Sequence, residues 1–318
     1  MKKITTIPTF EDIQRIHEAI RPYIHRTPVL SSQSLNAIAG CEVFFKCENF
    51  QKVGAFKMRG ATSAVLALSA EERECGIATH SSGNHAQAVA LSAKLQGIPA
   101  YIVMPENAPS VKRAAVEGYG ATIFTSGNLI TDREEMLEKV LKKTNASFIH
   151  PFDNYDVIAG QASAAKELHE EIPDLTTIIA PVGGGGLMAG TALYMNYANP
   201  NVTVLAGEPE LADDAFRSFQ SGKIEPVLRI DTIADGLRTT LSDKTFTIIK
   251  NHVEEIITVS EAEIVAAMRL IWERMKIVIE PSCSVPLAVV LQQKERFKGQ
   301  KVGIIITGGN VDLGKLPF

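Results

Sequence analysis

No Cys-x-x-Cys pair occurs among the four cysteines, which stand at 41, 47, 75 and 283. Without such a framework, a reducing compartment with the thiols as small core residues is the simplest reading. No apolar run approaches the ~18 residues of a membrane helix. The opening Met1–Phe10 is short, mixed and interrupted by Pro8, unlike a secretory leader. A cytoplasmic protein is therefore expected. Charge of one sign is also scarce: the formal net charge is −4, which argues against a nucleic-acid binder or a polybasic membrane-surface protein. The expected partner is a small molecule, with no nucleic acid and no membrane. Pro/Ser linkers, low-complexity runs and clear internal repeats are missing too, so no domain boundary announces itself. What remains is ordinary globular composition: 318 residues, 45% hydrophobic and 21% charged, enough for one large or two medium domains.

Apolar runs alternate with amphipathic stretches. Glu42–Cys47, Ala100–Met104, Thr122–Phe124, Thr177–Pro181, Thr203–Gly207 and Lys301–Thr307 read as buried parallel strands. Phe10–Tyr23, Asn84–Gln96, Ser110–Tyr119, Asp132–Lys143, Gly160–Glu171, Gly186–Tyr197 and Glu261–Arg274 read as helices. The alternation predicts an α/β fold, an open twisted parallel sheet with helices on both faces. The strand–loop–helix units from about Thr79 to His150 predict a small domain, 79–152, set into a large one made of 1–78 and 153–318. In such folds ligands bind beyond the carboxyl ends of the strands, here in the cleft between the two lobes.

Four segments could carry chemistry. Lys57, preceded by Phe56 and flanked by Gly54 and Gly60, would serve as an amine only if partly desolvated; taken alone, it reads as a solvated helix-surface charge. Ser81, Ser82, Gly83, Asn84 and His85 open a helix, either as a cap or as a carboxylate site. Gly183, Gly184, Gly185 and Gly186 precede another helix, and such a run implies a ligand, most simply a phosphate, against bare backbone. No Gly-Lys-Ser/Thr follows, so it is not a nucleotide P-loop. Gly184, Gly186 and Ala189, with Glu208 further on, also fit a dinucleotide fingerprint and hence a dehydrogenase. Thr307 ends the last strand with a hydroxyl suited to a ligand ring nitrogen, or is merely a β-branched strand residue.

Taken together, Gly-Ala-Phe-Lys-Met-Arg-Gly, Ser-Ser-Gly-Asn-His, the tetraglycine and Thr-Gly-Gly-Asn resemble the fold-type II (tryptophan-synthase-β-like) pyridoxal-phosphate enzymes. Within that family the chain is similar to the branch of serine/threonine dehydratases, serine racemases and hydroxyaspartate ammonia-lyases. The resemblance runs from about Pro8 to Asp312. It implies pyridoxal 5'-phosphate held covalently by Lys57 beside Phe56, with its phosphate on the amides of Gly183–Gly186 and Leu187. Asn84 would meet the ring 3-oxygen and Thr307 the ring nitrogen. Ser81–His85 would receive the substrate carboxylate, and Ser82 would be the opposite-face acid/base.

The implied activity is loss of water and ammonia from a β-hydroxy amino acid, L-serine or L-threonine first, with serine racemisation as a side reaction. A 3-hydroxyaspartate substrate would need a cation for its second carboxylate, such as Arg238 or Arg133. The resemblance also implies a divalent cation (Mg²⁺, Ca²⁺ or Mn²⁺) at Glu208, the Ala212 carbonyl and Asp214, an all-oxygen set. A homodimer is expected. Because the sequence stops at Phe318, just past the matched region, no regulatory domain of the long threonine-dehydratase kind is expected. A non-catalytic amino-acid sensor that kept the cofactor site is the alternative outside enzymology.

Overall fold

The computed structural model describes residues 1–81, 83–108 and 110–318. Among the described residues, ten strands form two sheets of six and four. In the larger, β1 (Val29–Ser31) pairs antiparallel with β2 (Glu42–Cys47). From there β2, β10 (Lys301–Ile306), β7 (Thr177–Pro181), β8 (Thr203–Pro209) and β9 (Glu255–Val259) run parallel in that spatial order. The smaller sheet is wholly parallel, in the order β5 (Thr122–Ser126), β4 (Ala100–Pro105), β3 (Ile77–His80), β6 (Ser147–Phe148).

Period-two alternation sorts each central strand between two apolar layers. Ile178 and Ala180 of β7, Val204 and Ala206 of β8 and Ile305 of β10 pack into one layer with Ile13, Ile16, Ile158 and Leu193. Their strand neighbours Ile179, Leu205, Ile304 and Ile306 pack into the other, with Ile264, Met268 and Leu287. Covering both faces this way is what lets a parallel sheet be apolar throughout.

All six anticipated strands form, within a few residues at their ends. Two features differ from the sequence reading. The edge strand β1 is antiparallel, reached from β2 by the short connection around Gln33–Ala39. The lysine segment, absent from the helices read in the sequence, is a helix, Lys57–Leu66. Its Gly60 hid that periodicity, and tertiary packing supplies the reason for the glycine, as described below. Among the described residues no helix is long and apolar enough to cross a membrane.

Candidate active site

The first turn of the Lys57 helix is pinned to the end of β10. Ala55 bridges Gly308, and Phe56 N donates to Thr307 O at 2.9 Å. Lys57 Nζ lies 5.1 Å from the centroid of the Phe56 ring and donates to Pro151 O at 3.0 Å. Burial lowers its pKa to about 8, partly opposed by the Glu280 carboxyl nearby. A desolvated amine of this kind has a usable neutral fraction near neutral pH. The solvated-charge reading of Lys57 is thereby set aside.

Residues 149–153, which carry no motif in the sequence, gather the separate segments. Ile149 O meets His85 Nε2 at 2.9 Å, and Pro151 O receives Lys57. The Phe152 ring sits where a side chain on Gly184 would be, and a Cβ at Gly186 would stand 3.0 Å from Phe152 Cβ. Gly185 adopts φ 87°, and a Cβ there would crowd Leu241 at 2.7 Å and Thr245 at 2.8 Å. The glycine run is thus imposed by protein packing and backbone angle, and not only by a ligand's approach. Its amides remain directed elsewhere: among the described residues, those of Gly183–Gly186 and Leu187 have no protein acceptor. They open a helix of 13 residues, Gly186–Ala198, and such an amide cluster favours a phosphate.

Across the cleft, the Asn84 amide donates to both oxygens of Glu280 at 3.0 and 3.1 Å and accepts from Asn310 Nδ2 at 2.8 Å. Asn310 Nδ2 also donates to the carbonyl of Val53 at 2.7 Å, a β-branched residue held at φ 57°. Such a conformation is strained and persists only where neighbours impose it. Burial raises the Glu280 carboxyl to about 7, with Asp235 adding to the effect. The Thr307 hydroxyl is buried, 3.2 Å from the Cys283 sulfur. Glu280 and Asn310 were not singled out in the sequence, although Asn310 closes the Thr-Gly-Gly-Asn run.

The loop after β3 is half-buried at Ser81 and Gly83, with Gly83 N donating to Ser81 Oγ at 3.2 Å. Ser82 lies outside the described residues. His85 turns inward to the Ile149 carbonyl. Burial, then the Lys57 charge, lower it to about 3, so it is a neutral ring tying helix to segment. Asn84 opens a helix of 13 residues, a second helix start of the kind that favours an anion.

Glu208 is wholly buried at the end of β8. Its oxygens accept from Ala215 N at 2.9 Å and Phe216 N at 2.7 Å. A ribose cannot reach it, which removes the dinucleotide reading. Asp214 is also buried, and neither of its carboxylate oxygens has a partner. Burial raises Asp214 to about 7 and Glu208 well above its usual value, each worsened by acidic neighbours. No group of three acidic, histidine or cysteine side chains that could hold a metal occurs among the described residues. A third protein ligand here would have to be a carbonyl, as at Ala212.

The cationic side chains are divided. Arg238 is exposed, its Nε and Nη2 both donating to Thr232 O at 3.1 and 2.5 Å. Arg133 stands close enough to His80, at the end of β3, to add to the burial that lowers that ring's pKa. Lys112 reaches from the smaller lobe to Asp235 of the larger at 3.3 Å, across the cleft mouth.

A half-buried amine of lowered pKa, the unpartnered amides of Gly183–Leu187 and the helix start at Asn84 fit a lysine-anchored phosphate cofactor with an amino-acid substrate. A family model described as pyridoxal-phosphate dependent enzyme matches residues 20–308. The chain is 50% identical to the beta-hydroxyaspartate dehydratase of Paracoccus denitrificans over 98% of this chain and 99% of that one. It is 48% identical to a serine racemase of Dictyostelium discoideum, over 99% and 98%. Maize serine racemase superposes with a TM-score of 0.95 at 44% identity, over 97% of this chain and 95% of that one. Sequence, fold and site agree that the chain belongs to the pyridoxal-phosphate-dependent enzymes of fold type II.

Proposed function

We propose that the enzyme is an ammonia-lyase that removes water and ammonia from a β-hydroxy amino acid, giving a 2-oxo acid, with serine racemisation alongside. The observation that carries this is the Lys57 amine, half-buried, hydrogen-bonded to Pro151 O and lowered in pKa to about 8. Pyridoxal phosphate, when bound, supplies an electron sink that acidifies the substrate α-hydrogen. Lys57 would anchor the cofactor and then take that hydrogen as general base, as its depressed pKa allows. The amides of Gly183–Leu187 would hold the phosphate, and those opening the Asn84 helix the substrate carboxylate. Thr307 would offer the ring nitrogen a neutral hydroxyl, which does not enforce a full positive charge there and so favours prompt loss of the β-hydroxyl. From its place in the sequence, Ser82 is assigned the opposite-face proton.

L-serine and L-threonine need only the carboxylate cradle and a small pocket. A 3-hydroxyaspartate reading is favoured by two cations of the smaller lobe, Arg133 near His80 at the end of β3 and Lys112, which shares its charge with Asp235, and by the Paracoccus relative. We also propose a divalent cation between Glu208, Asp214 and the Ala212 carbonyl, supported by the unpartnered Asp214 oxygens. It would tie the end of β8 to the helix Asp214–Ser221. A cytoplasmic homodimer, with residues 79–152 as the smaller domain, completes the proposal.

The decisive experiment is Lys57→Ala. It is expected to abolish turnover and the visible absorbance of the lysine-bound cofactor while leaving the far-UV circular dichroism unchanged. Full turnover in that variant would end this reading, and so would a colourless unmodified protein that binds amino acids without consuming them.

A further inference from the structure

Behind the site lies a buried knot of charge that the reaction does not touch. Arg59, Glu48 and Lys46 are 0% exposed and Glu167 is 1%. The Arg59 guanidinium uses all five of its N–H donors. Nε and Nη2 grip Glu48, each at 2.7 Å; Nη2 and Nη1 grip Glu167 at 2.8 and 2.9 Å; Nη1 also meets Ser163 Oγ at 3.0 Å. Lys46 Nζ donates to Glu167 at 2.7 Å, and the Thr27 hydroxyl to Glu48 at 2.6 Å.

Such a knot is a poor source of stability, because desolvating four charges offsets most of their attraction and apolar side chains would fold as well. Its use is direction. The Lys57 helix crosses the helix Tyr155–Glu171 at backbone contact. A Cβ on Gly160 would stand 2.7 Å from both Arg59 O and Gly60 Cα, and one on Gly60 would stand 2.8 Å from Val157 O. Glycine against glycine leaves few side chains between the two backbones; the Gln161 amide oxygen accepts from Gly60 N at 3.2 Å, and the charged fork of Arg59 is the other polar tie between the helices. Ser163 and Glu167 follow Gly160 along one helical face, and Arg59 holds both while its other edge grips Glu48 beyond β2. Lys57 precedes Arg59 by two residues and so leaves the opposite face of the same turn. Any roll at the crossing would swing the amine, and misplacements of about 1 Å cost on the order of 100-fold in rate.

We propose that Arg59, forked between Glu48 and Glu167, is a positioning residue that fixes the rotation of the helix turn carrying Lys57. The inference rests on Lys57 being the cofactor lysine, and the test separates the two. Borohydride reduction and peptide mapping of the unmodified holoenzyme report whether Lys57 carries the cofactor, whatever Arg59 does. Arg59→Lys keeps the charge and loses the forks; Ser163→Ala removes one neutral acceptor and keeps the ions. We expect kcat to fall on the order of 100-fold in Arg59→Lys and by less in Ser163→Ala, with KM unchanged. The apoprotein of each variant should also take up pyridoxal phosphate more slowly, read as intact mass after borohydride. Asp156→Asn alters a buried carboxylate of the same helix that is bonded to Ile4 N instead, and should leave kcat and uptake unchanged whatever it does to Tm. If Arg59→Lys does not fold, Ser163→Ala decides. Loss of Tm with kcat and uptake per folded molecule at the unmodified values overturns the proposal.

Discussion

The side-chain amide of Asn84 spans both oxygens of Glu280, at 3.0 and 3.1 Å, and so joins the first turn of a helix in the smaller lobe to a carboxyl of the larger. An amide donor pair is a weak partner for a buried negative charge, and burial holds this carboxyl up at about 7.

That elevation sets a pH dependence. Below the ordinary value of 4.5 the Glu280 carboxyl is protonated in folded and unfolded chains alike, and its full contribution is present. As pH rises from 4.5 through 7, the unfolded chain releases the proton first and stability is lost, by up to roughly 3 kcal/mol. Glu280→Gln removes this loss. In the cofactor-free protein, denaturant titrations at pH 5 and pH 8 should show the variant gaining on the unmodified chain as pH rises. A difference that does not move with pH would mean that the carboxyl is ionised throughout.

Gly184→Ala places a methyl group into the Phe152 ring. Overpacking of this kind costs about 1–3 kcal/mol, and here it must push apart the amide cradle and the segment holding the Lys57 amine. We expect the variant to fold with a lower Tm and to need far more pyridoxal phosphate for half-saturation. Gly97→Ala, at φ 65° but facing open space, should lower Tm without changing cofactor affinity.

Chelation tests the carboxylates at 208 and 214. A cation binding only the folded state at 100 times its Kd adds about 2.7 kcal/mol of stability. Chelator should therefore lower Tm, Mg²⁺, Ca²⁺ or Mn²⁺ should restore it, and Glu208→Gln should blunt the restoration. A metal-free protein whose Tm ignores all three cations rejects the site.

Substrate preference turns on which cation faces a second carboxylate. A charged hydrogen bond contributes about 1.5–3 kcal/mol, or roughly tenfold or more in kcat/KM. We expect Arg133→Ala or Lys112→Ala to lower the ratio for 3-hydroxyaspartate over L-serine by that factor. Arg238→Ala, with two of its donors spent on the Thr232 carbonyl, should leave the ratio unchanged. A ratio lost only in Arg238→Ala would return the role to that residue.

What could be read before folding was whatever a residue carries with it locally. Apolar alternation located the central strands, and the boundaries of Asn84–Gln96 and Thr177–Pro181 agree with the sequence reading to the residue. The ordered motifs around Lys57, Ser81–His85, Gly183–Gly186 and Thr307 pointed to the cofactor and the reaction class. The helix at Lys57–Leu66 escaped because its glycine and buried arginine answer to Gly160, Glu48 and Glu167, not to helix periodicity.

Residue types and their spacing, which persist in the unfolded chain, determined the α/β fold and the chemistry of the lysine and glycine loops. Only the tertiary structure decided which groups face each other. Lys57 meets Pro151 across 94 residues of chain and Asn84 meets Glu280 across 196. The depressed amine, the raised carboxyl and the unpartnered Asp214 follow from that meeting, because desolvation begins when two distant segments close over the same space.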